Sequence, residues 1–239
     1  MKVKRFFRVV FYTTSMYVVT HIIVLSLLPI ALILVSIERG HARQLKVRFG
    51  GLLFAIVGKQ VSVAGSDNIE KGKGYLIVAN YPSFYTSFVL LRLFPEALIV
   101  VNWFISRVPL FGQFMRQLGA TFVNPKGDIK GIQSIDKTLK QHQGTSIIIL
   151  PEGQRTTDGQ ITRFKRGFIY ILRNSTLDLL PVTLNGFYQL KPMKRVYLDP
   201  DAEPKIIIHK PVSHSVVEGM GDDELLEMTL GLIDGMYRP

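Results

Sequence analysis

The sequence predicts an α/β fold, in which a single domain has a mixed, largely parallel sheet flanked by helices and is preceded by an N-terminal membrane-associated helical segment. Short runs that are apolar at every position, such as residues 147–150, are typical of strands buried on both faces of a sheet. These runs alternate with helical stretches, which is the pattern of an α/β domain. An uncharged run near the N-terminus is long enough to cross a bilayer.

That uncharged run covers residues 9–36, which are 28 residues without Lys, Arg, Asp or Glu. A bilayer core about 30 Å thick needs roughly 20 apolar residues in a helix, so the run is long enough to span it. The run is too long for the apolar core of a cleaved signal peptide, and no convincing cleavage site follows it. A buried core helix is the alternative, but the length without charge favours the membrane. We expect residues 1–60 to be membrane-anchoring helices and residues 61–239 to be the α/β domain.

The net charge of +11 comes mainly from the same front end. Residues 1–50 hold eight basic residues and one acidic residue, whereas the rest of the chain holds 21 basic and 17 acidic residues. Four bases lie on each side of the uncharged run, which suits a helical hairpin or a segment in one leaflet with both ends cytoplasmic. Residues 44–60, which include Lys46, predict an interfacial helix with its bases near anionic head groups. We therefore expect membrane lipids rather than nucleic acid as partners, with the domain on the cytoplasmic face.

The body of the chain predicts alternating strands and helices. The expected strands are residues 75–79, 97–101, 120–123, 146–150, 180–184 and 205–209, and the expected helices are residues 83–94, 110–118, 128–141, 167–174 and 222–237. In such folds ligands bind where the carboxyl ends of strands lead into helices. Two loops have this position, residues 80–83 and residues 151–158.

Several classes of chemistry are excluded by composition and motif. The chain has no cysteine, which excludes disulfides, cysteine zinc sites, iron–sulfur ligation and thiol catalysis. It also lacks the glycine-rich signatures of dehydrogenases and kinases and the His-Glu-x-x-His spacing of zinc enzymes. We expect neither a cofactor nor a metal.

The second loop carries the groups expected of an anion site. It reads Pro151-Glu152-Gly153-Gln154-Arg155 and is followed by Phe164-Lys165-Arg166-Gly167. Arg155 offers a planar guanidinium for a phosphate, and Lys165 adds a second positive charge. A solvated basic turn is the alternative interpretation, and spacing alone leaves both open.

These motifs resemble the later blocks of the glycerolipid acyltransferase family, which includes the 1-acylglycerol-3-phosphate acyltransferases. Leu180-Pro181-Val182 with Gly186 continues the resemblance, residues 107–112 with Gly119 and Val123 look like the second block, and residues 75–90 match the surroundings of the first. The resemblance covers about residues 61–212. It implies phospholipid metabolism, with an acyl group passing from acyl-CoA or acyl-carrier protein to lysophosphatidic acid or a related lipid hydroxyl. The substrate-binding residues that it implies are Asn80, Ser83, Glu152, Gly153, Arg155 and Lys165.

The first block departs from the family at both catalytic positions. The family pattern is Asn, His, any residue, Ser, two more residues and Asp, in which the histidine acts as general base and the aspartate orients it. Asn80 and Ser83 match, but Tyr81 stands in place of the histidine and Thr86 in place of the aspartate. Tyrosine has a pKa of about 10 and is a protonated phenol at neutral pH. We expect a degenerate catalytic pair, and Asn102 also stands where the family often has lysine.

Another base would have to replace the missing histidine. His21, His41, His142, His209 and His214 are expected to be surface or packed residues. Glu152 would serve as the general base if burial raised its pKa. The alternative is a structural role, in which Glu152 bonds the turn or holds Arg155. Two functions stay open: an acyltransferase that is slow or uses another base, and a catalytically inactive membrane protein that binds a lipid or an acyl carrier.

Overall fold

The computed structural model describes residues 2–22, 44, 46–48, 51, 60–124 and 129–239. Within these residues the strands form one seven-stranded sheet in the order β1-β7-β6-β2-β5-β3-β4. The strands are β1 (Ser62–Ala64), β2 (Tyr75–Ala79), β3 (Leu98–Asn102), β4 (Ala120–Val123), β5 (Ile147–Ile149), β6 (Asp178–Asn185) and β7 (Lys205–Ile208). Neighbouring strands are parallel except β6 and β7, which are antiparallel. The predicted α/β class with a mixed, largely parallel sheet is confirmed.

The helices that flank the sheet match the predicted ones closely. In chain order the described helices are α1 (Lys2–Ile22), α2 (Tyr85–Leu93), α3 (Phe111–Gln117), α4 (Ile129–Gln141), α5 (Gly167–Arg173), α6 (Phe187–Leu190), α7 (His214–Gly219) and α8 (Asp222–Gly235). The sequence did not predict β1, α6 or α7, because each is too short to show a period. The predicted start of α4 at residue 128 lies outside the described residues.

The sheet has a hydrophobic cluster on each face because side chains alternate along its strands. In β2, Tyr75, Ile77 and Ala79 contribute to the cluster beneath α2 and α3. Leu76 and Val78 contribute to the cluster on the other face, beneath α5 and α8. All five residues of β2 are buried, as its wholly apolar sequence predicts.

The connections after β2 and β5 place a crevice at the carboxyl edge of the sheet. These strands are parallel neighbours, with Val78 opposite Ile149. The chain leaves β2 toward α2 on one face and leaves β5 toward α5 on the other. Loops that diverge from adjacent parallel strands open a ligand-binding crevice between them. The two loops singled out in the sequence therefore lie side by side.

Helix α1 packs on the loop between α6 and β7. Arg5 forms ion pairs with Asp199 and Asp201 at 3.2 and 3.1 Å. The backbone N–H of Leu198 donates to the Thr13 hydroxyl at 3.1 Å. One side of α1 is thus held by the domain, while several large apolar side chains on it remain exposed, namely Val3, Phe6, Phe7, Val10 and Phe11.

No helix in the described segments combines the length and hydropathy needed to cross a membrane. Residues 23–36 of the uncharged run, and most of the expected interfacial helix over residues 44–60, lie outside the described residues. The prediction for Lys46 within that helix is wrong. Its ammonium is buried and donates to the carbonyl of Ala97 at 2.8 Å, and burial lowers the pKa of Lys46 to about 8. Lys46 therefore contacts the domain instead of lipid head groups.

Candidate active site

Two hydrogen bonds join the loops after β2 and β5. The backbone N–H of Tyr81 donates to Glu152 Oε1 at 2.6 Å. In return, the backbone N–H of Thr156 donates to the carbonyl of Tyr81 at 3.2 Å. The residue in the family's histidine position is therefore held directly against the Pro-Glu-Gly loop.

Glu152 links three parts of the site. Its Oε2 accepts from the backbone N–H of Thr162 at 3.0 Å and from the Thr162 hydroxyl at 2.9 Å, while Oε1 accepts from Tyr81. Burial raises the pKa of Glu152, and these three donors act in the opposite direction. Of the two structural roles expected for Glu152, bonding the turn or holding Arg155, the first is the one seen here. Its described partners are Tyr81 and Thr162 rather than Arg155.

Asn80 and Ser83 form part of the frame of the site. Both are fully buried. The Asn80 amide donates to the Leu184 carbonyl at 3.1 Å and accepts from the Leu184 N–H at 2.8 Å, so it ties the end of β2 to β6. The Ser83 hydroxyl donates to the carbonyl of Lys191 at 2.8 Å. These contacts explain why both buried side chains are polar: Asn80 completes the bonding of the buried Leu184 backbone, and Ser83 bonds the partly buried carbonyl of Lys191.

Tyr81 lines a small cavity on the α2 face of the sheet. The cavity has a volume of about 70 Å³, and its wall includes Phe84, Ser87 and Phe88. Burial raises the pKa of the Tyr81 phenol, whereas a hydrogen bond with Ser87 and the charge of Arg155 lower it. The net direction is upward, away from neutral pH. Tyr81 therefore remains a protonated phenol and lacks the chemistry of a general base near pH 7.

Thr86, which the sequence resemblance places at the aspartate position, lies in the first turn of α2. It is fully buried, and its hydroxyl has no hydrogen-bond partner among the described residues. A neutral hydroxyl cannot stabilise an imidazolium as a carboxylate does. The pair expected to be degenerate therefore has neither a base nor a charge to support one.

Gly153 and Lys165 meet where the small cavity adjoins a larger one. Gly153 has a φ of +71°, a conformation that glycine adopts without strain. A Cβ at this position would lie 2.8 Å from Lys165 Nζ. Gly153 lines both cavities and Lys165 lines the larger one. The glycine thus allows the lysine ammonium to lie close to the loop backbone.

Arg155 lies on the side of the loop toward Tyr81 and Lys191. Its charge acts on the pKa of both residues. Burial, followed by the charges of Arg155 and Arg195, lowers the pKa of Lys191. Lys191 was missed in the sequence because it lies beyond the family-like motifs. The only signal is the density of bases at residues 191–195. The Lys191 ammonium donates to the carbonyls of Pro192 and Arg195, and the structure adds it to the positive groups whose charges act on one another around Arg155.

The described histidines lie outside these cavities. His142, His209 and His214 line neither one. His209 Nε2 lies 2.8 Å from the Thr183 hydroxyl, and burial lowers its pKa. His214 contacts Glu218 at 3.2 Å. In the part of the chain that the structure describes, no group of three or more His, Asp or Glu side chains has the arrangement of a metal site.

Comparison with known proteins gives a consistent result. The acyltransferase family model matches residues 60–185, just over half of the chain. A chloroplastic 1-acyl-sn-glycerol-3-phosphate acyltransferase of Arabidopsis thaliana is 24% identical over 160 residues, which are 65% of this chain and 44% of the relative. The corresponding enzyme of Saccharomyces cerevisiae is 27% identical over 136 residues, which are 55% of this chain and 45% of the relative. The chain thus spans about half the length of these relatives.

A solved structure extends the likeness to the fold. The 1-acyl-sn-glycerophosphate acyltransferase PlsC of Thermotoga maritima superposes with a TM-score of 0.82 at 23% identity, covering 97% of this chain and 95% of that one. At this identity the superposition shows that the two proteins share a fold, and the match to the family model shows family membership. The chain belongs to the acyltransferase family, and the relatives that it resembles are 1-acyl-sn-glycerol-3-phosphate acyltransferases.

Proposed function

We propose that this protein is a membrane-associated member of the family that binds a lysophosphatidic acid-type acceptor and an acyl thioester, with catalysis by the usual His/Asp pair impaired. The observation that carries the proposal is the contrast at the crevice. The Pro-Glu-Gly-x-Arg loop and its bonds to Tyr81 are intact. At the position of the base stands a partly buried phenol whose pKa is raised. The acyl donor is acyl-CoA or acyl-carrier protein.

Acyl transfer is favoured over a binding role alone by the names of the relatives, which are acyltransferases of lysophosphatidic acid. Slow transfer would need a proton acceptor other than the family histidine. Glu152 has a pKa raised by burial, but its oxygens are already used by three donors. Abstraction of a proton by Glu152 would require at least one of those bonds to break, which supports a low rate.

The acceptor's phosphate is assigned to Arg155, with Lys165 at the neighbouring cavity as a second cation. Arg155 forms no ion pair with any described carboxylate, and it lies near Tyr81, where the acceptor hydroxyl would react. Charge-assisted hydrogen bonds are worth about 1.5–3 kcal/mol each. Arg155→Ala should weaken binding of lysophosphatidic acid by roughly 10- to 150-fold.

This prediction is checked by equilibrium binding of lysophosphatidic acid to the full chain in detergent. Lys210→Ala, which removes an exposed cation beyond β7, is the matched control. A dissociation constant that is unchanged in Arg155→Ala would remove the arginine from the acceptor site. Loss of affinity in both variants would point to bulk electrostatic attraction instead.

Membrane association is assigned to the front end, with the domain on the cytoplasmic face. Phe7 and Phe11, each 66% exposed, lie four residues apart on α1 and share one side of the helix. An apolar helix side of this kind suits the boundary between head groups and acyl chains.

Phe7→Glu with Phe11→Glu should therefore move the full-length protein from the membrane fraction toward the soluble fraction. Val216→Glu, at an exposed valine on α7, should leave the distribution unchanged. Wild-type protein that is soluble without detergent would contradict the assignment.

A further inference from the structure

A group of large apolar side chains is exposed around the Tyr81 cavity, mostly on the segment that joins β3 to α3. Phe104 is 63% exposed, and Val108 and Leu110 are also exposed. Phe84, which precedes α2 and lines the cavity, is exposed as well. The second apolar patch, so named to distinguish it from the apolar side of α1, consists of Phe84, Phe104, Val108 and Leu110. Single exposed apolar side chains are ordinary, but a group of them beside a cavity indicates an interaction surface.

The backbone of the segment holds the patch in a defined conformation. The Asn102 side chain accepts a hydrogen bond from the Phe104 N–H at 3.0 Å. The Val108 N–H donates to the Ile105 carbonyl at 3.1 Å, and the Val108 carbonyl accepts from the Gly112 N–H at 2.8 Å. The exposed side chains therefore project from hydrogen-bonded turns.

Leu110 has a strained conformation although its side chain is 44% exposed. Its φ is +61° and its ψ is −49°, and it is the one non-glycine residue with a positive φ among the described residues. The Phe111 N–H donates to the Pro109 carbonyl at 2.6 Å, which closes a γ-turn of the rare, strained kind. Strained backbone is concentrated at functional sites. Because burial of the leucine does not explain the strain, it indicates a surface that contacts a partner.

The charges around the patch fit an anionic lipid surface. Residues 97–127 contain three basic residues and no acidic residue. Arg107 is exposed, and its guanidinium carbon lies 4.0 Å from the centre of the Trp103 ring. Tryptophan is typical of the boundary between head groups and acyl chains, and basic side chains attract anionic lipids to that boundary. Apolar, aromatic and basic side chains without acids are the combination expected of a membrane contact.

The patch lies on the same face of the sheet as α1. Met16 of α1 belongs to the hydrophobic cluster against which Ile105 and Phe111 also pack. The Tyr85 hydroxyl donates to Met16 Sδ at 2.7 Å, and the Tyr85 ring contacts the Phe84 ring edge to face at 6.3 Å. These contacts connect α1, to which membrane association is assigned, with the second apolar patch.

We propose that the second apolar patch is a second membrane contact, which lies at the head-group boundary of an anionic bilayer. The side chains of the patch enter the apolar side of this boundary, and Arg107 contacts lipid phosphates. The proposal rests on the membrane association proposed above and adds the side of the domain that faces the bilayer, which α1 alone leaves open. In this orientation the Tyr81 cavity, whose wall includes Phe84, opens next to the lipid.

The test uses the fluorescence of Trp103, which is the only tryptophan in the chain. Full-length protein is reconstituted into vesicles of phosphatidylcholine and phosphatidylglycerol, whose acyl chains carry bromine either near the head group or near the methyl end. Bromine quenches tryptophan only at short range, so Trp103 emission should be quenched, and more strongly by bromine near the head group. Flotation of the vesicles measures membrane association separately.

Substitutions within the patch make the test specific. Phe104→Glu and Leu110→Glu should each reduce the quenching of Trp103 at least about twofold, because a carboxylate opposes entry into the boundary. Both variants should still float, because α1 is unchanged. Quenching in wild type should fall when phosphatidylglycerol is omitted, and Arg107→Gln should lose this dependence. Val216→Glu, at an exposed position of α7, is the matched control and should behave as wild type.

The results that contradict the proposal differ from those that contradict membrane association itself. Unquenched Trp103 in protein that floats, or undiminished quenching in Phe104→Glu and Leu110→Glu, would overturn the second contact alone. Wild-type protein that does not float would overturn the membrane association as well. A loss of thermal stability in Phe104→Glu and Leu110→Glu beyond that in Val216→Glu would show that the chain itself covers the patch, which would also refute the proposal.

Discussion

The loops after β2 and β5 lie side by side, but they match the family's sequence motifs to different extents. The loop after β5 retains the Pro-Glu-Gly-x-Arg motif, and each of its groups has a defined place: Glu152 bonds the turn, Gly153 makes room for Lys165, and Arg155 lies near Tyr81. The loop after β2 has the frame residues Asn80 and Ser83, whereas Tyr81 and Thr86 stand at the positions that the sequence resemblance assigns to the reacting pair. The comparison shows that the hydrogen bonds that shape the crevice do not require a histidine at residue 81 or an aspartate at residue 86.

The frame residues Asn80 and Ser83 explain how this is possible. Asn80 is bonded at both ends of its amide to β6, and Ser83 is bonded to the chain beyond α6. Replacing Asn80 would leave buried backbone groups of Leu184 without partners, which costs about 1–3 kcal/mol each, and replacing Ser83 would remove a hydrogen bond worth about 1 kcal/mol. No such contact depends on the identity of residue 86, whose hydroxyl is unpartnered among the described residues. Stability therefore preserves the frame regardless of whether the catalytic pair is present.

The largest expected loss of stability comes from a substitution that breaks the hydrogen bonds between the two loops. Glu152→Ala removes the acceptor for the Tyr81 N–H, the Thr162 N–H and the Thr162 hydroxyl. Three donors are left in a buried place, so the free energy of unfolding should fall by about 2–5 kcal/mol. Chemical denaturation measures this, and Glu227→Ala, at an exposed position of α8, is the control. A fall no larger than in that control would show that the loops do not depend on Glu152.

A smaller change in stability distinguishes a residue of the loop after β2 that makes a structural hydrogen bond, Ser83, from one that makes none, Thr86. Ser83→Ala removes a hydrogen bond to the Lys191 carbonyl and should cost about 1 kcal/mol. Thr86→Val replaces an unpartnered buried hydroxyl by a methyl group of similar size, so it should be neutral or stabilising by up to about 1 kcal/mol. Thermal denaturation of the two variants should thus shift in opposite directions, or only for Ser83→Ala. A clear loss of stability in Thr86→Val would mean that its hydroxyl has a structural role.

The strands of the sheet could be predicted from the sequence because most of them contain short, wholly apolar runs. All six expected strands exist, and the end of β5 leads into the Pro-Glu-Gly-x-Arg loop as expected. Strand β1 was missed because three residues at the sheet edge carry no apolar run. The roles of Asn80 and Ser83 were also beyond the sequence, since their partners lie more than 100 residues away along the chain. Lys191 and the large cavity depend on packing between distant elements, which local patterns do not encode.

The loop after β5 predicts a working acyl-transfer site, whereas Tyr81 and Thr86 predict impaired acyl transfer. Turnover is measured with purified full-length protein, lysophosphatidic acid and either acyl-CoA or acyl-carrier protein as donor. Wild type is compared with Tyr81→His, Thr86→Asp and the double variant. A positioned base is worth roughly 10²–10⁴-fold in rate, and an aspartate without a histidine has nothing to orient, so the two changes should be strongly non-additive.

The pH profile identifies the base in the same experiment. Wild type should show little transfer. The double variant should be faster by about 10²–10⁴-fold and should gain activity as pH rises through an ionisation near 6.5, the ordinary pKa of histidine. Wild type should lack that ionisation, because burial raises the pKa of Tyr81. Robust wild-type turnover that the double variant does not exceed would contradict the loss of the dyad. An inactive double variant in a well-folded protein would contradict the preservation of the site around it.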